Sequence, residues 1–249
     1  MRNNYLFNSL RVLSVSVFLL SATVLSAGDL MIASAAGYKK PVSEVMKSFQ
    51  KETGIKTDAA FGNIQMVASQ AKQTGEITCI IGDKKFLSVL GSTVKFRSYK
   101  SIGKGMLVLA YRKGISLKRP EDIATERIKT LFIPENKKAI YGIAGTEALE
   151  SYGYTEKLAD KITRVATVPQ VVSYLLTGEA DAGFINLTEA QANKHRLGGY
   201  IIIPEDRYTE ILIVAGVVEG HENKPETLKF VNYLGTGKAK KIFRKYGLK

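Results

Sequence analysis

Apolar and polar positions along this chain alternate in two rhythms, and the switches between them divide it into short strands and amphipathic helices. Asp29–Ala36 (DLMIASAA) reads as a strand and Gly37–Thr53 as a helix. Pro41 falls in that helix's first turn, where a missing N–H costs nothing, and Gly54 is placed to stop it. Val42, Val45, Met46 and Phe49 recur at i, i+3, i+4 and i+7 and form one apolar face. A second strand, Lys56–Phe61, leads to Asn63, a residue type that caps helices. Ile64, Val67, Ala68 and Ala71 share one side of the next helix, which ends before Gly75, and Ile77–Ile81 is a third strand.

Met106–Tyr111 opens a second set. Thr130–Ile133, Arg164–Val168, Ala182–Asn186 and Tyr200–Ile203 read as strands and Thr146–Tyr152 as a short helix. Val168, Val171, Val172, Leu175 and Leu176 give a helical stripe ended by Gly178. Ile211–Val218 is a long apolar strand, and the helices Pro225–Leu234 and Lys238–Tyr246 finish the chain. This alternation predicts an α/β fold whose sheets are covered by helices on both faces. The break at Ile102-Gly103-Lys104-Gly105 predicts two lobes. In such sheets ligands sit at the carboxyl ends of strands, where helix N-termini present free N–H groups to an anion.

Residues 1–27 read as an export signal. Arg2 and Arg11 are the only charges before Asp29, Val12–Leu25 is apolar apart from small polar residues, and Ser26-Ala27 suits cleavage near Ala27-Gly28. The alternative is a membrane anchor, but the run is shorter than the ~20 apolar residues a spanning helix needs. The mature chain is therefore expected to be soluble and periplasmic, or otherwise extracytoplasmic.

Composition narrows the function classes. The formal charge of +13 falls to +11 when Arg2 and Arg11 leave with the signal. The lysines are spread in short clusters with no arginine-rich block, which in an exported chain argues against nucleic acid and for attraction of anions. Cys79 is the only cysteine and lies in an apolar run, the setting of a core residue rather than a reactive thiol. His195 and His221 lie in polar surroundings, read as surface, and have no metal-ligand spacing. No GxSxG, P-loop or GxGxxG after a strand is present, so neither enzyme chemistry nor a cofactor or metal is expected.

Several segments also carry a family resemblance. They are VVEGHENKPETLKFVNYLGTGKAKKIFRKYGL (217–248), Glu147-Ala148-Leu149 with Gly153, QVVSYLLTGEADAG (170–183), Ile81-Gly82-Asp83 with Lys85, and the opening IASAAGYKKPVSEV and FGNIQMVASQ. In one register, they resemble the periplasmic molybdate-binding proteins of ABC importers, a type II periplasmic-binding-protein family. The resemblance implies a two-lobe periplasmic-binding-protein fold with a ligand cleft between lobes. Lobe 1 would comprise residues 28–103 and 213–249 and lobe 2 residues 104–212, with hinges near 102–106 and 211–214. It implies a small oxyanion ligand such as molybdate or tungstate, held as an oxyanion and not through metal ligands, an importer permease as partner, and a monomer.

The family's ligand positions are substituted here. Its first serine falls on Ala36 and its second on Ile64, with Asn63 beside it. A backbone-donor position falls on Tyr141, the valine-type donor is kept as Val168, and the usual tyrosine aligns with Asn186. Backbone N–H groups of Ala36, Ile64, Tyr141 and Val168, and side chains of Asn63, Tyr141 and Asn186, are the candidate ligand contacts. Helix capping is the competing reading for Asn63, and local packing for Tyr141 and Asn186. Loss of the hydroxyls opens two alternatives: a different oxyanion or small organic acid, or an enzyme on this fold, with Asp83 the acidic residue placed nearest the cleft.

Overall fold

The computed structural model describes residues 29–137 and 139–249; the expected signal peptide lies outside them. The chain opens with β1 (Leu30–Ala35), a 3-10 turn (Ala36–Tyr38), α1 (Lys39–Thr53), β2 (Thr57–Gly62) and α2 (Ile64–Thr74). β3 (Ile77–Asp83), a short α3 (Lys84–Ser88) and β4 (Phe96–Gly105) follow. It then crosses to β5 (Leu107–Tyr111), β6 (Leu131–Pro134), α4 (Ile140–Ser151), β7 (Ile162–Val165), α5 (Val168–Thr177), β8 (Ala182–Asn186), α6 (Leu187–Ala192) and β9 (Gly199–Ile202). β10 (Ile211–Val218) returns, and α7 (Pro225–Leu234) and α8 (Gly237–Lys245) end the chain.

Two five-stranded sheets result, ordered β2-β1-β3-β10-β4 and β7-β6-β8-β5-β9. In the first, β1 runs parallel to β2 and β3, while β10 is antiparallel to β3 and β4. In the second, β6 is parallel to β7 and β8, and β5 is antiparallel to β8 and β9. This is the expected α/β architecture of two lobes, joined by the crossings from β4 to β5 and from β9 to β10.

Burial explains the strand patterns. β3 is covered on both faces, so it is buried along its whole length and reads as a continuous apolar run. Its alternate side chains serve two cores. Cys79 and Ile81 join Ile32 and Phe49 in a cluster that continues into the second lobe. Ile80 joins Ala33, Ile64 and Val67 beneath α2. Cys79 is fully buried and its thiol is pushed up to about 12 by burial, so it is a packing residue. Gly54 and Gly178 stop α1 and α5 in left-handed conformations that only glycine adopts freely.

The structure departs from the sequence pattern at the edges. β4 was not expected; it is an edge strand with a largely polar sequence, held by β10 on one side and, through mutual hydrogen bonds of Lys104 and Lys249, by the C-terminal residue. α4 begins at Ile140, six residues before the helix read at Thr146. Gly142 and Gly145 depress its helix propensity, yet both are places where α4 packs too tightly for a Cβ, against the backbone at Pro134–Asn136 and against Phe184. β7 ends at Val165, and Val168 opens α5. His195 is exposed as read, but His221 is buried in the turn between β10 and α7, and burial lowers its pKa.

One buried charge braces the second lobe. The Asp181 carboxylate accepts hydrogen bonds from Arg112 Nε (2.9 Å) and from the amides of Lys129 (2.8 Å) and Thr130 (3.1 Å), which ties the end of β5 to the start of β6. Burial by itself raises its pKa, but these donors outweigh burial and hold it below the usual value. Its stabilising contribution is therefore complete above the unfolded-state pKa and lost as pH falls through the folded one. Asp181→Asn is expected to lower stability at neutral pH by about 3 kcal/mol and to flatten part of the acid loss. Urea unfolding at stepped pH measures both; an unchanged neutral midpoint counts against the bracing role.

Candidate ligand-binding site

The carboxyl ends of strands from both sheets face each other across the lobes. In the first lobe β1 runs into the turn at Ala36, β2 ends at Gly62 before the cap Asn63, and β3 delivers Asp83 as the cap of α3. In the second lobe the loop after β6 leads into α4 at Ile140, Thr167 caps α5, and Asn186 at the end of β8 caps α6. These segments enclose a cavity of about 40 Å³, lined by Ala36, Asn63, Ile64, Tyr141, Val168 and Asn186 together with Tyr38, Asp83, Phe86 and Thr167. All six residues singled out in the sequence thus meet at one place. The space is roughly three times the ~10–15 Å³ that one water requires, so it suits a compact ligand of a few heavy atoms.

Lobe-to-lobe contacts close this cavity. The hydroxyls of Tyr38 and Tyr141 lie 2.6 Å apart, and Asn186 Nδ2 donates to the Gly37 carbonyl at 3.0 Å. Lys40 pairs with the buried Glu189 at 3.4 Å just outside. Glycine at 37 leaves room for Asn186, because a Cβ there would stand 2.8 Å from its Nδ2. Burial pushes both tyrosine pKa values well up, and the nearby Asp83 charge adds to the effect. The two phenols therefore remain protonated and neutral, and they are hydrogen-bonding groups.

The side chains hold competing duties. Asn63 Oδ1 accepts from Met66 N at 2.9 Å, the capping role, which leaves its NH₂ uncommitted. Asn186 Oδ1 likewise accepts from Glu189 N at 2.9 Å. Ala36, Ile64 and Val168 can offer only backbone N–H, and the first-turn amides of α2, α4 and α5 have no acceptor within their own helices. Thr167 was missed from the sequence, although the T-V-P-Q capping box that places it is legible; its Oγ1 accepts from Gln170 N at 3.4 Å and keeps its hydrogen free. Tyr38 carried no sequence signal. Among the described residues no lysine or arginine lines the cavity, so an anion held here would be met by backbone and side-chain dipoles, with Asp83 the one acidic group beside it. Among the described residues no group of three or more His, Cys, Asp or Glu side chains is arranged for a metal ion.

A cavity between two lobes, ringed by helix N-termini, is the architecture of solute capture, and residues 30–249 match the family described as bacterial extracellular solute-binding protein. The chain belongs to that family. The molybdate-binding protein of Azotobacter vinelandii is 25% identical over 234 residues, 92% of each chain. A Bacillus subtilis lipoprotein named for a substrate-binding role in an ABC transporter is 27% identical over 227 residues, 88% of this chain and 85% of that one. Among solved structures, the Azotobacter vinelandii periplasmic molybdate-binding protein superposes with a TM-score of 0.80 at 22% identity, covering 89% of this chain and 99% of that one. PEB3 bound to L-phospholactate gives a TM-score of 0.74 at 18% identity, with 88% and 98% covered. At these identities the two superpositions establish the fold.

The tyrosine bridge makes a cooperative pair. Replacing either phenol alone strands the other's hydroxyl in a buried site, whereas removing both leaves an apolar contact. Tyr38→Phe and Tyr141→Phe are each expected to cost about 1–3 kcal/mol, and the double variant well under the sum. Chemical denaturation of the three variants checks this; strict additivity would show that the hydroxyls do not pair.

Proposed function

We propose that this chain is the substrate-binding protein of an ABC importer, exported by residues 1–27, and that its interlobe cavity holds a compact, dehydrated oxyanion of the molybdate or tungstate type. The observation that carries the proposal is the small interlobe cavity on which the first turns of α2, α4 and α5 and the turn at Ala36 converge. Helix N-termini carry partial positive charge and free N–H groups, each contributing about 0.3–1 kcal/mol and up to about 2 when partly buried. Backbone donors at Ala36, Ile64, Tyr141 and Val168 surround a tetrahedral anion from both lobes, and Thr167, Asn63 and the phenols add side-chain donors in place of serines. Each hydrogen bond to a charged ligand is worth roughly 1.5–3 kcal/mol, so such a set supports tight binding without a cation. The names of the relatives point to the same ligand class and the same importer role.

Closure around the two interlobe crossings traps the anion, and the closed form is the one that docks on the permease. Size then sets selectivity, since sulfate offers the same polar groups on a smaller tetrahedron. A second reading, a small organic acid, draws support from the apolar walls contributed by Ile64, Phe86, Ile140 and Val168 and from the likeness to phospholactate-bound PEB3. Calorimetric titration of residues 28–249 with molybdate, tungstate and sulfate distinguishes these. Binding of the first two with a Kd of about 1 μM or tighter, and none of sulfate, is the expected outcome. No heat with any of the three transfers the site to the organic-acid reading.

A further inference from the structure

The cavity contains one acidic side chain, and half of it has no partner. β3 carries Asp83 into the wall at 2% exposure. Its Oδ1 accepts from the amides of Lys85 (2.9 Å) and Phe86 (3.1 Å) and so caps α3. Its Oδ2 is buried and makes no hydrogen bond. A buried polar atom left unpaired in a native fold is uncommon and calls for an explanation.

The surroundings narrow that explanation. Toward the cavity Asp83 faces Tyr38 from the 3-10 turn and Tyr141 from α4, whose hydroxyls are engaged with each other. On β10 its cross-strand neighbour is Ile213, an apolar residue. On α3, Lys84 and Lys85 are exposed; with Glu210 they line an outer groove that Asp83 also borders, and the Lys85 charge reaches the carboxyl from that side rather than from the cavity. Among the described residues no lysine or arginine lines the cavity itself, while on the proposed reading the same cavity receives an anion. Two negative groups in one dehydrated site disfavour each other, and a carboxyl relieves the conflict by taking up a proton. Burial already pushes the Asp83 carboxyl above its ordinary value, against the pull of the amides of Phe86 and Lys85 and, more weakly, Leu212.

We propose that Asp83 binds one proton together with the anion and that its Oδ2–H donates a hydrogen bond to the ligand, so that capture is coupled to uptake of a proton from solvent. The inference rests on the anion-binding reading of this cavity and adds a specificity residue to it. No covalent bond changes; the proton enters with the ligand and leaves with it. The sign follows from linkage: the carboxyl's pKa is higher in the complex than in the free protein. Affinity is therefore constant below the free-protein pKa, falls by up to tenfold per pH unit above it, and levels off beyond the pKa of the complex.

The test is titration of the mature chain with molybdate, tungstate, sulfate and malonate from about pH 5 to about pH 9, in pairs of buffers of different ionisation enthalpy. The expected result is a buffer-dependent heat corresponding to uptake approaching one proton per anion within that window, with affinity falling as pH rises. Asp83→Asn keeps an oxygen to cap α3, since Asn and Asp cap equally well, and puts a permanent N–H donor where Oδ2–H would be. It is expected to bind with little pH dependence and no proton uptake. Binding of molybdate with no uptake at any pH, in the parent protein as in the variant, overturns this inference and leaves the oxyanion reading standing. Proton-coupled binding of malonate alone supports the role of Asp83 and removes molybdate as the ligand. Binding of none of the four removes both. The buffer dependence of the parent protein decides the question even where the variant fails to fold.

Discussion

Backbone amides at the start of a helix cannot bond within that helix, and this protein places several such amides around one small interlobe space. The constraint organises the rest of the molecule. Parallel pairing of β1 with β2 and β3, and of β6 with β7 and β8, puts the carboxyl ends of those strands on the inner face of each lobe. Each inner loop then turns into the helix that covers its sheet. The first-turn amides of α2, α4 and α5 that no cap engages lie beside this small, mostly apolar cavity, a setting in which dipoles act more strongly than in bulk water.

The contacts that close the lobes are made by the same segments. Gly37 meets Asn186, Tyr38 meets Tyr141 and Lys40 meets Glu189. Asn186 is the most heavily used of these residues: one side chain caps α6, bridges the lobes and lines the cavity. The cavity wall presents mostly apolar surface, with a few polar groups set into it. Those groups are phenols, amides, one threonine hydroxyl and one acid. Among the described residues no lysine lines the cavity, and their surplus positive charge lies elsewhere on the protein.

Much of this was legible in the sequence because burial writes periodicity. β3 and β10 are covered on both faces and read as unbroken apolar runs; α1, α2 and α5 each bury one face and read as helical stripes closed by glycine. Elements whose formation depends on distant partners left no such trace. β4 is largely polar and exists because β10 and Lys249 supply its hydrogen bonds. The first half of α4 carries two glycines, Gly142 and Gly145, that weaken a helix in isolation and are needed only because a neighbouring loop and Phe184 press against them. His221 sits among polar residues in the chain and is buried in the fold, where it lies beside the backbone of Gly75 at the end of α2.

The site divides along the same line. Local patterning by itself determined the α/β class and the capping position Asn63, and family resemblance pointed to the six positions that line the cavity; the capping box at Thr167 was equally local but went unread. Capping and strand ends are short-range features, set by residues within four of each other. Tertiary structure alone decided that Tyr38 faces Tyr141, that Asn186 reaches Gly37, and that one oxygen of Asp83 is buried without a partner. Those facts join residues a hundred or more positions apart, or depend on what a whole lobe excludes from water, and neither quantity is written in a local window of sequence.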